Sequence, residues 1–147
     1  MIQNLQKFKG YKQGETIQFA DIASKVNIKF KHQDRVLVIT NEAVYNVDPS
    51  GFKVKRRIDL RAVDELSLSS LDDDYLVMHV PSEYDYLWIT KRKAEMVQLI
   101  RNEVTKLTGR DVKMNVSNGF QYRVDKKTTY SIIFTKVSSG INVKIYS

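Results

Sequence analysis

The chain is dominated by short segments in which apolar and polar residues alternate, the period of β-strands. The clearest segment runs from residue 22 to residue 31. One face would carry Ile22, Val26, Ile28 and Phe30, and the other Lys25, Asn27, Lys29 and Lys31. We therefore expect a half-buried strand with a cationic outer face, a polar break at residues 32–34, and a more fully buried second strand over residues 35–40.

Further strands are predicted between turn signals, of which Asp48-Pro49-Ser50-Gly51 is the strongest. They cover residues 43–47, 52–60, 65–69, 75–80 and 84–89, with Asp72-Asp73-Asp74 as an acidic loop. From Thr90, a candidate N-cap, the apolar period becomes helical, and Gly109 is placed to end the helix. Three more strands follow, over residues 111–116, 120–124 and 130–136.

Seven antiparallel strands followed by one helix predict a mainly β fold. The strands would form a bent, nearly closed barrel whose open end the helix plugs, as in pleckstrin-homology domains. We expect one domain over residues 1–147, with residues 1–20 as an N-terminal extension, 21–108 as barrel and helix, and 109–147 as additional strands.

Composition narrows the class of partner. The 147 residues carry a net charge of +7, which favours an anionic partner such as a lipid surface, nucleic acid or an acidic protein. No apolar run approaches the roughly 18 residues of a membrane-spanning helix, so membrane contact would be peripheral. Cysteine is absent, which fits a reducing compartment, and we expect a cytoplasmic location at the inner face of membranes.

Several segments together resemble the tail homology domain of class I myosins, which has a pleckstrin-homology-like fold. The resemblance covers about residues 8–134. Its segments are Phe8-Lys9-Gly10-Tyr11-Lys12, Lys25 to Lys31, Arg35 to Thr40, Ala43-Val44-Tyr45, Lys55 to Leu60, Leu68 to Asp73, Tyr75 to Val80 and Asp85-Tyr86-Leu87. It accounts for the strands after the helix and implies a cytoskeleton-linked module that binds anionic phospholipids.

The resemblance implies that headgroup contacts come from the first two strands and their connection. Matched to the family pattern, Lys25 and Arg35 would be paired phosphoinositide ligands, with Lys29, Lys31 and His32 nearby. The residues themselves indicate the same place, because a multiply phosphorylated headgroup requires converging cations. The alternative is that these strand lysines only keep the barrel soluble.

A second basic cluster lies at Lys53-Val54-Lys55-Arg56-Arg57. Strand alternation would place Lys53, Lys55 and Arg57 on one face, either as a secondary basic face toward an anionic membrane or as a solvated strand. Lys91-Arg92-Lys93 opens the helix and is either solvated or a secondary lipid contact, and Lys126-Lys127 is interpreted as a turn.

No catalytic or cofactor motif is present in the sequence. The two histidines are far apart, no thiolate metal site is possible, and no glycine-rich phosphate loop occurs. We expect no enzyme activity, no cofactor and no metal. The leading hypothesis is peripheral membrane targeting through phosphoinositides. The alternative is a protein-interaction scaffold of the same fold, with protein partners or the other domains of a parent chain, and nucleic-acid binding is a weaker third hypothesis.

Overall fold

The computed structural model describes residues 14–147, so the resemblance at Phe8 to Lys12 lies outside the described residues. Eleven strands and one α-helix follow in the described part. They are β1 (Ile17–Val26), β2 (His32–Thr40), β3 (Ala43–Asp48), β4 (Lys53–Asp59), β5 (Glu65–Leu68), β6 (Tyr75–His79), β7 (Tyr86–Ile89), α1 (Lys93–Thr108), β8 (Lys113–Val116), β9 (Gly119–Arg123), β10 (Thr129–Val137) and β11 (Gly140–Tyr146).

The first seven strands form the predicted bent barrel. Their order is β4-β3-β2-β1-β7-β6-β5, and every contact between neighbours in this series is antiparallel. Pairing between β1 and β7 closes the sheet over only two positions, Ser24 with Ile89 and Lys25 with Trp88. Within the described sheet β4 and β5 are not neighbours, so the barrel is incomplete there. The predicted mainly β fold with a helix after the seventh strand is confirmed.

The helix fills the barrel with its apolar side. Met96, Ile100 and Val104 are fully buried in the main core, which also contains residues of all seven barrel strands. Gly109 ends the helix in the left-handed conformation, as predicted. The predicted N-cap at Thr90 was wrong, because the helix begins at Lys93 and the Thr90 hydroxyl instead accepts the backbone N–H of Arg92 at 3.2 Å.

The boundary between the first two strands differs from the prediction. The first strand ends at Val26, and residues 27–31 form a tight turn where a continuing strand was expected. The second strand begins at His32, inside the predicted break. Consequently Ile28 and Phe30, expected on a buried face, are 43% and 45% exposed. Ile22, also expected to be buried, is 64% exposed because Ala23 and Phe19 supply the inward face of β1.

The segments after the helix divide between two sheets. Strand β8 adds to the barrel sheet in parallel with β5, whereas β9, β10 and β11 form a separate antiparallel sheet. This C-terminal sheet packs Tyr122, Ile132 and Phe134 against Val77 and Leu87 on the outer side of the barrel. Its edge strand β11 was not predicted. The fold is thus a barrel supported from outside by a three-stranded sheet.

Candidate functional site

Three connecting loops of the barrel converge at one end of the structure. The turn after β1 lies beside the start of β7, since these strands are antiparallel and Lys25 pairs with Trp88. The β3–β4 loop lies near the start of β2, where Val47 pairs with Val36. The β6–β7 loop reaches β4 through an ion pair between Glu83 and a β4 arginine. We call this region, residues 27–31, 49–52 and 80–85, the loop end.

The β1–β2 turn is held in one shape by Asn27. Its side-chain oxygen accepts the backbone N–H groups of Lys29 at 2.9 Å and Lys31 at 3.0 Å, and its own N–H donates to the Lys31 carbonyl at 2.9 Å. Such side-chain-to-backbone bonds are the means by which asparagine stabilises turns. The turn also requires Phe30 to adopt a φ of 64°, which is uncommon for a non-glycine residue. Lys29 and Lys31 are therefore exposed turn residues and do not lie on a strand face.

Lys25 and Arg35 lie on the same face of neighbouring strands. Lys25 pairs with Gln33 and Ala23 pairs with Arg35, so the two cations are diagonal neighbours. Diagonal neighbours in antiparallel strands are about 7–8 Å apart at their Cα atoms, within reach of long side chains. Ala23 and Leu37, which share this face, belong to the main core. The two cations therefore continue the inward face of the barrel at its loop end.

The environment of the Lys25 side chain is unfavourable to positive charge. Burial, and then the neighbouring Arg35 guanidinium, lower the pKa of the Lys25 ammonium. Among residues 14–147 neither Lys25 nor Arg35 forms an ion pair with a carboxylate. The Arg35 Nε is buried and has no hydrogen-bond partner in the same part of the chain. An anion placed here would relieve both the repulsion and the unmet donor.

An aromatic side chain lies beneath Lys25. The Lys25 Nζ is 5.9 Å from the centroid of the Tyr86 ring, which is nearly completely buried. The Tyr86 hydroxyl donates to Glu83 at 3.3 Å, and the same carboxylate accepts two hydrogen bonds from Arg56 at 2.8 and 2.5 Å. Arg56 is thus paired with an acidic residue at the rim, whereas neither Lys25 nor Arg35 has an acidic partner within residues 14–147.

The C-terminal sheet contacts two of the converging loops. The Tyr130 ring stacks on Phe30 with 4.8 Å between centroids, and its hydroxyl donates to the Ile28 carbonyl at 2.7 Å. The Arg123 guanidinium donates to the Pro81 carbonyl at 2.9 Å in the β6–β7 loop. The strands after the helix therefore fix the shape of the candidate site, a role that the sequence pattern did not reveal.

The second basic cluster is divided by a β-bulge. Between β3 and β4 the register shifts, so that Val54, and not Lys55, shares the face of Arg57. The prediction of one basic face was therefore wrong in geometry. Lys53 is exposed, and Lys55 is exposed with its Nζ 3.9 Å from Asp48. These two lysines remain accessible at the edge of the barrel sheet.

Arg57 belongs to an internal network and is unsuited to membrane contact. Its guanidinium lies 3.3 Å from the fully buried carboxylate of Glu15 and donates to the Tyr45 hydroxyl at 3.0 Å. The Tyr45 hydroxyl in turn donates to Glu15 at 2.6 Å, and Thr40 donates to the same carboxylate at 2.7 Å. This network fixes Glu15, just before β1, against β2, β3 and β4.

The basic residues at the start of the helix are all paired with acidic groups. Arg92 contacts Asp21 at 3.3 Å and also pairs with Glu95, and its guanidinium lies 4.3 Å from the centre of the Phe19 ring. Lys93 pairs with Asp73 at 3.2 Å, and Lys91 lies 3.9 Å from Asp74. The acidic turn thus serves to anchor the helix, and this cluster adds little uncompensated charge.

A serine, a histidine and an aspartate are hydrogen-bonded in series behind the barrel. The Ser67 Oγ is 2.7 Å from His79 Nε2, and His79 Nδ1 is 2.9 Å from Asp85 Oδ2. Ser67 is only 1% exposed and also accepts a hydrogen bond from Asn115, so its hydroxyl faces no substrate-sized opening. Asp85 further accepts the backbone N–H of Arg123, so the series joins the barrel to the C-terminal sheet. We interpret it as structural.

Across residues 14–147 no three or more histidine, aspartate or glutamate side chains cluster as a metal ion requires. The one helix in that range is too short and too polar to cross a membrane.

Comparison with known proteins identifies the family. A family model described as "unconventional myosin tail, actin- and lipid-binding" matches residues 2–147. The chain belongs to this family. It is 31% identical over 131 residues to the myosin IA heavy chain of Dictyostelium discoideum and 32% identical over 132 residues to the myosin heavy chain IB of Acanthamoeba castellanii. These alignments cover 84% and 86% of this chain but only 13% and 11% of the two heavy chains.

Solved structures support the fold of this myosin-tail domain. The hSac2 domain of human phosphoinositide phosphatase Sac2 aligns with a TM-score of 0.54 over 73% of this chain and 80% of that chain. The DH/PH fragment of PDZRHOGEF aligns with a TM-score of 0.55 over 63% of this chain and 29% of that chain. Both are 12% identical, so they show the pleckstrin-homology-like fold and carry no information about ligands.

Proposed function

We propose that this myosin-tail domain is a non-catalytic module that binds phosphoinositides in anionic membranes and so places its parent protein at the membrane surface. The observation that carries the proposal is the pair Lys25 and Arg35. They are neighbours on one face, partly buried, and without an acidic partner among the described residues. Two partly buried cations without a counter-ion are costly to fold and are explained most simply by an anionic ligand.

The chemistry of the pair suits a headgroup with adjacent phosphates. The Arg35 guanidinium offers a planar fork of donors to phosphate oxygens, while Lys25 supplies a point charge. Lys29 and Lys31 project from the adjoining turn, where they would meet neighbouring phosphates or other anionic lipids. Ile28 and Phe30 are exposed on the same turn, so a membrane approached from this side would also receive apolar contacts.

Binding would have two components with different salt dependence. Exposed lysines attract an anionic leaflet diffusely, at about 1 kcal/mol each, and this attraction is screened by salt. Capture by the partly buried pair Lys25 and Arg35 is screened less. As the salt concentration rises, vesicle binding should fall to a plateau. A plateau that is seen only with vesicles containing phosphoinositides would fit both components.

Sedimentation with vesicles tests the proposal. Wild type is compared with Lys25→Ala/Arg35→Ala on neutral vesicles, phosphatidylserine vesicles and vesicles containing each phosphoinositide. We expect the double variant to lose the vesicle binding that depends on phosphoinositides and to retain most of the diffuse binding to anionic vesicles. Equal binding by the double variant would exclude this site. If wild type binds no anionic vesicle even at low salt, the protein-interaction scaffold becomes the better account.

A further inference from the structure

The turn between β9 and β10 presents two exposed lysines on a rigid support. The two strands pair on either side of residues 124–128. The Asp125 carboxylate accepts the backbone N–H groups of Lys127 at 2.8 Å and Thr128 at 2.7 Å, which fixes the shape of the turn. Lys126 and Lys127 are both exposed. In sequence these lysines indicate only a turn, and the family resemblance gives them no role.

The fold brings this turn to the loop end of the barrel. Tyr130 lies two positions beyond the turn, about 7 Å along the strand. It stacks on Phe30 and hydrogen-bonds the Ile28 carbonyl, so the β1–β2 turn is its direct neighbour. On the other strand Arg123, next to the turn, contacts the Pro81 carbonyl of the β6–β7 loop. The β9–β10 turn thus stands beside two of the three loops of the loop end.

Four exposed lysines are consequently presented at one end on two separate supports. Lys29 and Lys31 project from the β1–β2 turn, and Lys126 and Lys127 from the β9–β10 turn. Within residues 14–147 none of the four forms an ion pair. The two turns are separate segments, so Lys126 and Lys127 would reach a different anion from the one near Lys29 and Lys31. Such an arrangement suits a surface that presents many anions side by side.

We infer that the β9–β10 turn is a second membrane contact, in which Lys126 and Lys127 bind the headgroups of anionic phospholipids beside the one held by Lys25 and Arg35. The inference rests on the proposed function and extends it. The loop end would lie against the membrane, with the β1–β2 and β9–β10 turns both in contact with it. The C-terminal sheet would then take part in binding as well as support the β1–β2 turn. Two contacts also fix the orientation of the domain, which a single headgroup site does not.

The first test compares two charge-matched variants. Lys126→Ala/Lys127→Ala removes the proposed contact, and Arg101→Ala/Lys136→Ala removes two exposed positive charges from the helix and from the far end of β10. Each is assayed for binding to phosphatidylserine vesicles with a phosphoinositide and to a soluble inositol polyphosphate. We expect the first variant to bind vesicles about tenfold or more weakly, with soluble headgroup binding unchanged, and the control to resemble wild type.

The outcomes separate the inference from the proposed function. Loss of vesicle binding confined to the turn variant supports the inference. Equal loss in both variants shows that only net charge matters and overturns it, as does binding by the turn variant equal to wild type. Loss of soluble headgroup binding by the turn variant also overturns it, because these lysines would then belong to the headgroup site. If wild type binds no anionic vesicle, the proposed function and the inference both fail.

A second measurement reports orientation without relying on affinity. The chain has no cysteine, so one introduced cysteine can carry an environment-sensitive fluorophore. Thr129→Cys places the fluorophore beside the turn, and Ser138→Cys places it just beyond the far end of β10. We expect a blue shift on anionic vesicles for the first position only. Equal shifts at both positions, or a shift at residue 138 alone, would contradict the orientation.

Discussion

The Tyr130 hydroxyl donates a 2.7 Å hydrogen bond to the Ile28 carbonyl, across 102 residues of sequence. This bond and the stacking of Tyr130 on Phe30 join the C-terminal sheet to the turn that carries Lys29 and Lys31. Because Phe30 adopts a left-handed backbone conformation, the turn needs support beyond its own hydrogen bonds. Tyr130 is therefore a positioning residue for the candidate site.

Replacing Tyr130 by phenylalanine removes the hydrogen bond and keeps the ring. One neutral hydrogen bond contributes about 1 kcal/mol, so we expect phosphoinositide binding to weaken by about twofold to fivefold. Amide exchange over residues 27–31 should become faster while the barrel strands are unaffected. Tyr146→Phe, at an exposed tyrosine in β11, is the matched control and should change neither quantity. Unchanged exchange in the turn would show that Tyr130 does not position it.

Removing the charge of Lys25 should stabilise the protein while it weakens phosphoinositide binding. Burial and Arg35 lower the pKa of Lys25 in the folded state, so the charged side chain disfavours folding. We expect Lys25→Met to raise the free energy of unfolding by about 0.5–1 kcal/mol near neutral pH, as is common when a functional residue is replaced. Urea unfolding measures this quantity, and a destabilised variant would contradict the proposed environment.

The same pKa shift gives the stabilisation a pH dependence. Because the folded-state pKa of Lys25 lies below the unfolded value of about 10.4, the unfolded state binds more protons between the two values. Wild-type stability therefore gains from rising pH in that window. The advantage of Lys25→Met should be largest below the folded-state pKa and should shrink as pH rises toward the unfolded value. A stability advantage of Lys25→Met that grows with pH would contradict a lowered pKa of Lys25.

Much of the fold was predictable from sequence because its signals are local. The helical spacing of apolar residues up to Val104 and the position of Gly109 located α1, whereas the capping role of Thr90 was misassigned. The β1–β2 turn could not be located, since Ile28-Lys29-Phe30-Lys31 keeps the alternation of a strand. What interrupts it is a set of hydrogen bonds to Asn27 and a contact with Tyr130, and neither changes the hydrophobic pattern.

The candidate site was predictable only where strand pairing follows from neighbouring segments. Lys25 and Arg35 lie on consecutive strands, so their proximity could be predicted, and the family resemblance pairs them, whereas the register that puts them on one face is seen only in the structure. Arg57 could not be assigned in this way, because a bulge and the buried carboxylate of Glu15 decide its position. Arg123, which reaches the β6–β7 loop from the separate C-terminal sheet, depends on packing that sequence periodicity does not specify.

The split of the second basic cluster predicts two different phenotypes. Lys53→Ala/Lys55→Ala should weaken binding to anionic vesicles by about fivefold or more at low salt, with little change in stability. Arg57→Ala breaks contacts with the buried Glu15 carboxylate and with Tyr45, so we expect it to lower the free energy of unfolding by about 2 kcal/mol or more. Vesicle sedimentation and urea unfolding of both variants check this. If Arg57→Ala were as stable as wild type but bound membranes more weakly, Arg57 would belong to the basic face after all.

Asp85 should make the attachment of the C-terminal sheet sensitive to acid. Burial alone raises the pKa of Asp85, but hydrogen bonds from His79 and from the backbone of Arg123 and Val80 hold it below its usual 3.8. A lowered carboxyl pKa contributes stability above the unfolded value and loses it as pH falls through the folded value. Asp85→Asn should therefore lose about 1.5–3 kcal/mol of stability at pH 7 and show a smaller change in stability than wild type between about pH 5 and about pH 2.

Urea unfolding of wild type and Asp85→Asn at each pH checks this prediction. Ser67→Ala, which leaves the carboxylate and its backbone bonds in place, is the control and should keep the wild-type acid sensitivity. Acid sensitivity that is the same in wild type and in Asp85→Asn would show that another group dominates below pH 4, roughly the unfolded carboxyl pKa.

Calorimetric titration with soluble inositol polyphosphates shows whether Lys25 and Arg35 form a headgroup site. The titrated proteins are wild type, Lys25→Ala/Arg35→Ala and the charge-matched Lys53→Ala/Lys55→Ala, all at physiological salt. These ligands contain no membrane, so only a converging cationic site can capture them. We predict measurable binding by wild type and by the Lys53/Lys55 variant, and at least tenfold weaker binding by the Lys25/Arg35 variant, about 1.4 kcal/mol or more. Equal affinities for wild type and the Lys25/Arg35 variant would show that these two cations do not form the headgroup site.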